Sequence, residues 1–222
     1  DGLFAAGECS WTYHGANRLG ANSLLSASVD GWFTLPFTVP NYLADHLGEE
    51  KLAEDSREAQ DVVAAVTDRI ERIMSINGPE PHGPEHFHEQ LGDILYEHCG
   101  VSRTVEGLEE GIKKIRALRE DFWANINIPG SPNEMNQTLE AALRLVDYIN
   151  LGELMCVDAL DRDESCGAHY RMDHLTDDGE AERDDDNWCF VSAWEPAGDG
   201  QFIRHAEPLY FDSIPLMARN YK

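Results

Sequence analysis

Lysine and long apolar runs are both scarce in this sequence. The 222 residues include 42 acidic and 17 basic side chains, a formal net charge of −25, and only four of the basic residues are lysines. Nucleic-acid binding needs clustered Lys and Arg, so this balance argues against a nucleic-acid partner. No stretch of about 18 consecutive apolar residues occurs, so we predict no membrane-spanning helix. An acidic, lysine-poor surface suits a high-salt cytoplasm, but it is equally compatible with an ordinary acidic subunit.

Cysteine is also infrequent, and its placement predicts no metal centre. The five cysteines are dispersed without a Cys-x-x-Cys pair, which argues against a zinc or iron–sulfur site in this chain and suits a reducing cytoplasm. They are Cys9, Cys99, Cys156, Cys166 and Cys189. His82, His86 and His88 are further candidate ligands, but Gly83 and Pro84 disturb the helical spacing between them. We therefore predict no bound metal.

The first 25 residues have the pattern of a strand, a loop and a helix. Leu3 to Ala6 is a short apolar run that predicts a buried strand, and residues 14–20 form a glycine-punctuated loop that contains Arg18. Asn22 and Ser23 then have the pattern of a helix start. A helix N-terminus presents unpaired backbone N–H groups and a partial positive charge, and an arginine beside it can clamp a carboxylate. We expect a binding site for electron-rich groups here.

The remaining sequence predicts helices followed by a short β-hairpin. Apolar residues at spacings of three and four predict helices in five segments, the first of them broken by Pro36 and Pro40. These segments are residues 22–47, 56–76, 84–99, 104–124 and 134–161. We expect the apolar stripe of each of the last four segments, which includes Val62, Val66 and Ile73 in residues 56–76, to lie in the core. Thr104 is the expected cap of the fourth segment. Two runs near residues 188–194 and 202–206 flank a Pro/Gly-rich turn and predict a hairpin.

Four segments of the sequence resemble the succinate dehydrogenase/fumarate reductase flavoprotein family. Gly2–Glu8 and His14–Leu24 match the last flavin-binding segment, Gly-Leu-(Phe/Tyr)-Ala-x-Gly-Glu and His-Gly-x-Asn-Arg-(Leu/Met)-Gly-x-Asn-Ser-Leu. Glu164–Arg171 and Arg183–Trp188 match the later motifs Glu-Ser-(Arg/Cys)-Gly-x-His-x-Arg and Arg-Asp-Asp-(Glu/Asp)-Asn-Trp. Many members have Arg where this chain has Cys166, so no role of that arginine is transferred. The resemblance covers essentially the whole chain.

The resemblance implies a fold that is mainly α with a small α+β remainder. Residues 1–48 would be the C-terminal segment of an FAD-binding domain, 49–161 an antiparallel helical bundle, and 162–222 a C-terminal loop and β-hairpin tail. The Gly-x-Gly-x-x-Gly start of an FAD-binding domain is not found in this sequence. We therefore expect a C-terminal portion of a longer subunit that is inactive alone.

The resemblance also implies roles for single residues. Arg18 would bind one carboxylate of the substrate, and Glu8 would bind FAD through a ribose hydroxyl. Ser23 and Leu24 would contact the isoalloxazine ring near its pyrimidine end. Three further residues would support the site: His14, Asn17 and Asn22. His14 either polarises the substrate or, as we prefer, acts as a hydrogen-bonding strut in the loop.

The implied activity is oxidation of succinate to fumarate, or the reverse, by hydride transfer between a substrate carbon and FAD. Electrons would pass to an iron–sulfur subunit and a membrane cytochrome subunit, with the protein cytoplasmic and peripheral on the inner face of the cell membrane. One alternative is a soluble flavoenzyme similar to L-aspartate oxidase, although the long tail after residue 162 argues against it. The other is a helical interaction module without catalysis.

Overall fold

The computed structural model describes residues 2–10, 20, 22–49, 51–198, 200–213 and 215–217. Within these residues the chain is mainly helical, with two small two-stranded sheets. The helices are α1 (Asn22–Val29), α2 (Leu35–Asp45), α3 (Arg57–Met74), α4 (Pro84–His98), α5 (Val105–Asn125), α6 (Gln137–Asp161) and α7 (Asp185–Trp188). The strands are β1 (Ser102–Arg103), β2 (Tyr170–Arg171), β3 (Phe190–Gly198) and β4 (Gln201–Pro208). The predicted fold class is confirmed.

Polar side chains set the starts of the long helices. The Ser56 hydroxyl accepts the Ala59 N–H before α3, and the Thr104 hydroxyl accepts the Gly107 N–H before α5. These caps satisfy backbone donors that a helix leaves unpaired at its N-terminus. Helix α6 begins at residue 137 rather than at the predicted 134, because the Asn136 side chain caps it by accepting a backbone N–H.

The core lies where α4, α5 and α6 pack against one another through short connections, as in a helical bundle. Phe87 of α4 and Phe122 of α5 are fully buried and meet edge to face, with ring centroids 5.4 Å apart. Gly152 allows α6 to approach α4 closely, since a Cβ there would lie 3.2 Å from a Leu91 methyl group. Each such large apolar side chain contributes about 1.5–3 kcal/mol through burial.

Two core positions are occupied by neighbouring thiols. Cys99 at the end of α4 and Cys156 of α6 are both buried and reduced. A hydrogen bond from Cys156 lowers the pKa of the Cys99 thiol to about 7, and the same contact together with burial raises the pKa of Cys156. Both thiols fill core positions, as the sequence predicts, but the hydrogen bond between them makes Cys99 more acidic than an ordinary buried thiol.

Helix α3 enters the core only at its C-terminal end. Ile73 is fully buried, whereas Val62 and Val66 on the same predicted stripe are more than half exposed. The guanidinium of Arg69 bonds the Leu143 carbonyl of α6 at 3.2 Å and so fixes this end. The expectation that the whole stripe of α3 is core is therefore wrong. Periodicity identifies the apolar face of a helix but not what covers it.

Helices α1 and α2 are joined by a π turn at Asp30–Thr34. The Leu35 N–H bonds the Asp30 carbonyl, five residues back, instead of a carbonyl four residues back. Pro36 follows in the first turn of α2 and has no N–H to continue the ordinary α pattern. The predicted interruption is found only as this π turn before Pro36, and the break predicted at Pro40 is wrong, because Pro40 lies inside α2.

The predicted strand at Leu3–Ala6 is wrong. These residues have no regular secondary structure, and Leu3 is 95% exposed. A strand needs a neighbour to satisfy its backbone groups, and no other residue in the described ranges pairs with this run. It leads directly into a 3₁₀ turn at Gly7–Ser10.

The predicted β-hairpin is confirmed and is longer than expected. Strands β3 and β4 pair antiparallel with an irregularity between Pro196 and Gly198. The indole Nε1–H of Trp194 bonds Oδ1 of Asp158 at 2.6 Å and fixes the hairpin to α6. Strands β1 and β2 form a short parallel pair beside the bundle. None of the helices in the described ranges is long and apolar enough to cross a membrane.

Candidate functional site

The 3₁₀ turn Gly7–Ser10 packs against α1. Gly7 has φ +73°, a backbone conformation that favours glycine, and it lies against α1, where a Cβ would be at a contact distance of 3.4 Å from Ala27. The Gly7 N–H donates to a carboxylate oxygen of Asp30 at 2.5 Å. The Ser10 hydroxyl closes the turn by donating to the Gly7 carbonyl at 2.8 Å. This turn presents Glu8 at an exposed position beside α1.

The N-terminus of α1 combines polar and apolar groups. Asn22 is the first helical residue, and its buried Oδ1 has no hydrogen-bond partner in the part of the chain that the structure describes. Ser23 is half-buried, and Leu24 is 76% exposed. The first-turn N–H groups of a helix have no intrahelical acceptors. This end of α1 can therefore bind a ligand that has polar groups beside an apolar surface.

The structure describes four of the predicted site residues on two elements that pack together. The turn that contains Glu8 contacts the helix that begins with Asn22, Ser23 and Leu24. Three predicted residues lie outside the described residues: His14, Asn17 and Arg18. The roles of all the predicted site residues stay predictions.

Asp30 makes a buried contact that the sequence did not predict. Its carboxylate is 5% exposed and joins the turn to α1. The turn meets Ala27 near the end of α1 and Asp30 at the start of the following π turn. The only sequence feature that could have indicated this contact is the position of an acidic residue between Val29 and Gly31 in an otherwise apolar segment. Nothing in the sequence indicates that its partner is Gly7.

A second polar cluster lies at the end of α6. The guanidinium of Arg171 is buried and donates to the carbonyls of Ala159, Leu160 and Arg162, each at 3.3 Å. It also donates to both carboxylate oxygens of Asp173, at 2.8 and 2.6 Å. This bond holds the pKa of Asp173 below its usual range. Arg171 therefore satisfies the last carbonyls of α6 and complements its negative end.

His169 connects this cluster to the end of α4. Its Nδ1 accepts from the Arg103 guanidinium at 2.7 Å, so its Nε2 carries the hydrogen and donates to the Arg162 carbonyl at 2.9 Å. Arg103 also bonds the carbonyls of Cys99 and Gly100. Burial lowers the pKa of His169, and nearby guanidinium groups act in the same direction. His169 and Arg171 thus hold the tail on the helical bundle.

The two later motifs also meet. Glu164 accepts the Asp184 N–H at 2.9 Å and an Arg162 N–H at 2.6 Å. The same arginine bonds the carbonyls of Trp188 and Phe190 at 3.3 and 3.0 Å. Residues 162–190 are therefore organised around one ion pair of which Glu164 is the buried member.

One group in the described part of the chain offers three possible metal ligands within 4.8 Å of one another: Asp163, Asp173 and His174. Both oxygens of Asp173 already bind the guanidinium described above, and His174 bonds Asp163 at 2.8 Å. The rings of His82 and His86 stack with centroids 3.8 Å apart. The existing ion pairs explain the first group without a metal, and the prediction of no bound metal stays a prediction.

Comparison with known proteins assigns the family. Residues 88–221 match the model of the fumarate reductase flavoprotein C-terminal domain, and residues 1–24 match that of an FAD binding domain. The chain is 36% identical over 187 residues to the succinate dehydrogenase flavoprotein subunit of Bacillus subtilis, covering 84% of this chain and 30% of that protein. It is 34% identical over 227 residues to the fumarate reductase flavoprotein subunit of Escherichia coli, covering 99% and 35%.

Solved structures agree with this assignment. An E. coli quinol fumarate reductase chain superposes with a TM-score of 0.79 at 31% identity, covering 96% of this chain and 34% of that one. A chain of the Mycobacterium smegmatis Sdh1 complex gives a TM-score of 0.77 at 25% identity, covering 96% and 34%. The chain spans about a third of the length of the curated relatives it matches. The family model covers well over half of the sequence, including both of the later motifs. The chain therefore belongs to the succinate dehydrogenase/fumarate reductase flavoprotein family.

Proposed function

We propose that this chain is the C-terminal portion of an FAD-dependent flavoprotein subunit that oxidises succinate to fumarate or catalyses the reverse reaction. The observation that carries the proposal is the packing of the turn Gly7–Ser10 on α1, which places Glu8 on the same structural unit as the N-terminus of α1. Both elements begin in the segment that matches an FAD binding domain. The relatives are about three times as long as this chain, so the activity proposed is that of the whole subunit.

The groups at the start of α1 fit FAD. The buried Oδ1 of Asn22, which lacks a donor among the described residues, can accept an N–H from a heteroaromatic ring. The first-turn N–H groups can donate to ring carbonyls, and exposed Leu24 offers apolar contact to a ring face. The helix dipole favours negative charge beside Ser23. This set of one acceptor, several donors and an apolar surface supports the proposal.

The remaining roles follow from the chemistry of the side chains. When bound, FAD supplies the acceptor for a hydride from a substrate carbon. The Glu8 carboxylate can accept hydrogen bonds from ribose hydroxyls. Arg18, which lies outside the described residues, would bind a substrate carboxylate through two parallel N–H bonds and so orient the substrate. Orientation of this kind lowers the barrier because the reacting groups need not find their alignment by diffusion.

We also propose partners for the whole subunit. It would pass electrons to an iron–sulfur subunit and a membrane cytochrome subunit, and would thereby lie on the inner face of the cell membrane. The similarity to a quinol fumarate reductase chain and to a chain of the M. smegmatis Sdh1 complex supports this arrangement. Attachment through partners is also compatible with the absence of a membrane-spanning helix in the described ranges.

The test is Arg18→Ala in the full-length subunit assembled with its partners. We expect succinate-dependent dye reduction to fall by about 10²–10³-fold while FAD stays bound, because a charge-assisted clamp on the substrate is lost. Arg57→Ala is the matched control, since Arg57 is exposed and pairs with Asp61 at 3.6 Å on the surface of α3. Near-normal succinate oxidation by the Arg18 variant would contradict the proposal, and oxidation of L-aspartate instead of succinate would favour the soluble alternative.

A further inference from the structure

The carboxylate of Asp30 joins two elements that are separate in sequence. Its Oδ2 lies 2.5 Å from the Gly7 backbone nitrogen, 23 residues away, and its side chain is almost completely buried. A hydrogen bond from a backbone N–H to an ionised carboxylate is stronger than one between neutral groups. The bond therefore fixes the turn Gly7–Ser10 against α1.

The contact follows one face of α1. Ser23, Ala27 and Asp30 succeed one another at spacings of four and three, so they lie on the same side of the helix. Ala27 contacts Gly7 in the middle of this face, and Asp30 holds the turn at its far end. Seven residues of helix separate Asp30 from Ser23, a rise of about 10 Å. Asp30 is thus too far along α1 to touch a ligand held beside Ser23.

The π turn holds Asp30 in place. Its backbone carbonyl accepts the Leu35 N–H, and the turn continues into the first residues of α2, which include Pro36. π turns of this kind occur often at functional sites, where an extra residue redirects a side chain. Asp30 is therefore constrained through both its backbone and its side chain. As a result, the position of the Glu8 turn along α1 is constrained as well.

We propose that Asp30 is a positioning residue for the FAD site, setting the placement of the Glu8 turn relative to the helix N-terminus. This inference rests on the proposed function. Asp30 itself contacts neither cofactor nor substrate; it acts through Gly7. Loss of its carboxylate frees the turn, so that Glu8 no longer reaches the cofactor at the same time as the first turn of α1.

The experiment compares three variants of the full-length subunit: Asp30→Ala, Asp30→Asn and Asp45→Ala. The last is the matched control, because Asp45 is an exposed acidic residue near the end of α2 and its loss changes the charge equally. Two quantities are measured: the apparent Kd for FAD added to deflavinated protein, and the hydrogen exchange of residues 7–10. Asp30→Ala should weaken FAD binding at least tenfold and accelerate exchange at Gly7.

Asp30→Asn should restore FAD binding to within about threefold of the wild type, since an amide oxygen accepts the same N–H. Asp45→Ala should match the wild type in both measurements. Wild-type FAD affinity in Asp30→Ala, even with faster exchange of the turn, would overturn the inference and leave the proposed function intact. An Asn variant as weak as the Ala variant would also overturn it. A wild-type subunit that binds no FAD would instead overturn the proposed function.

Discussion

Arg171 and Asp173 form a two-point ion pair at the end of α6, with nitrogen–oxygen distances of 2.8 and 2.6 Å. The guanidinium is buried while the carboxylate is 44% exposed. The cation, Arg171, therefore also donates hydrogen bonds to carbonyls of α6, whereas the anion, Asp173, remains accessible to water. It connects two residues of the tail to the last turn of a core helix.

This pair should make stability depend on acid pH. The Arg171 bond lowers the pKa of Asp173 in the folded state, so its contribution is present above the unfolded carboxyl pKa of about 4 and is lost as pH falls through the lower folded value. Asp173→Asn should reduce the free energy of unfolding by about 1 kcal/mol at pH 7, since the carboxylate is partly exposed. Urea unfolding at pH 7 and at pH 3 measures the difference.

The difference between wild type and variant should shrink at pH 3, because the unfolded wild-type chain then binds a proton at Asp173 more readily than the folded chain does, which favours unfolding. Asp177→Asn, an exposed neighbour in the same loop, is the control and should have no effect at either pH. A difference that is the same at both pH values would show that the ion pair does not cause the effect.

Glu153 should be the most sensitive charged residue of the bundle. It is fully buried in α6, and its carboxylate meets Arg116 at 2.6 Å and Arg119 at 2.5 Å, both from α5. Glu153→Ala leaves two guanidinium groups without their shared anion, but both are partly exposed, so we expect a loss of about 1.5–3 kcal/mol in the free energy of unfolding. The surface pair formed by Glu140 and Arg144 on the same helix provides the control.

Glu140→Ala should cost less than about 0.5 kcal/mol, because exposed i,i+4 pairs contribute little. Similar losses for the two variants in the same denaturant series would show that the buried position of Glu153 is not what makes its ion pairs important.

The attachment of the hairpin to α6 should weaken when one indole hydrogen bond is removed. Trp194→Phe keeps an aromatic ring but removes the Nε1–H that bonds Asp158, so we expect the hairpin to be held less tightly, by about 1–2 kcal/mol. Hydrogen exchange over residues 190–208 should accelerate, while exchange in α5 should not change. Tyr210→Phe, at an exposed position after β4, is the control. Unchanged exchange in the hairpin of the Trp194 variant would refute this expectation.

Salt should raise thermal stability if the acidic surface is an adaptation to high ionic strength. With a formal net charge of −25, the folded chain repels itself at low salt. The Debye length decreases to about 3 Å at 1 M, so the melting temperature should rise between low and molar KCl. NaCl should give the same rise if screening is the cause. A flat or falling melting temperature would favour an ordinary acidic protein.

Local signals made the helical part of the fold predictable. Ser56 and Thr104 act within three residues of the helices they cap, and the apolar spacing of α4, α5 and α6 records their burial directly. Pro36 likewise indicates the interruption beside it, because the missing N–H is a property of that residue alone.

Long-range relationships were not predictable from the sequence. Leu3–Ala6 has the composition of a strand, but strand formation depends on a partner elsewhere in the chain. Val62 and Val66 show which face of α3 is apolar without showing whether anything covers it. The bond between Gly7 and Asp30 spans 23 residues, and one sequence does not contain the information that pairs them. The motif indicates roles for Glu8 and Ser23, but it does not contain the bond between Gly7 and Asp30 that fixes the turn beside α1.

The arginine at the end of α6 has a consequence for how the chain can be divided. Arg171 belongs to the tail by sequence, yet it supplies the donors that complete the last turn of a core helix. A chain cut after Asp161 would leave those carbonyls without their buried donor. Helix α6 would then begin to fray near Cys156, where it contacts Cys99. The bundle and residues 162–173 should therefore unfold in one cooperative step, and proteolysis should release the β-hairpin long before it separates Arg171 from the helices.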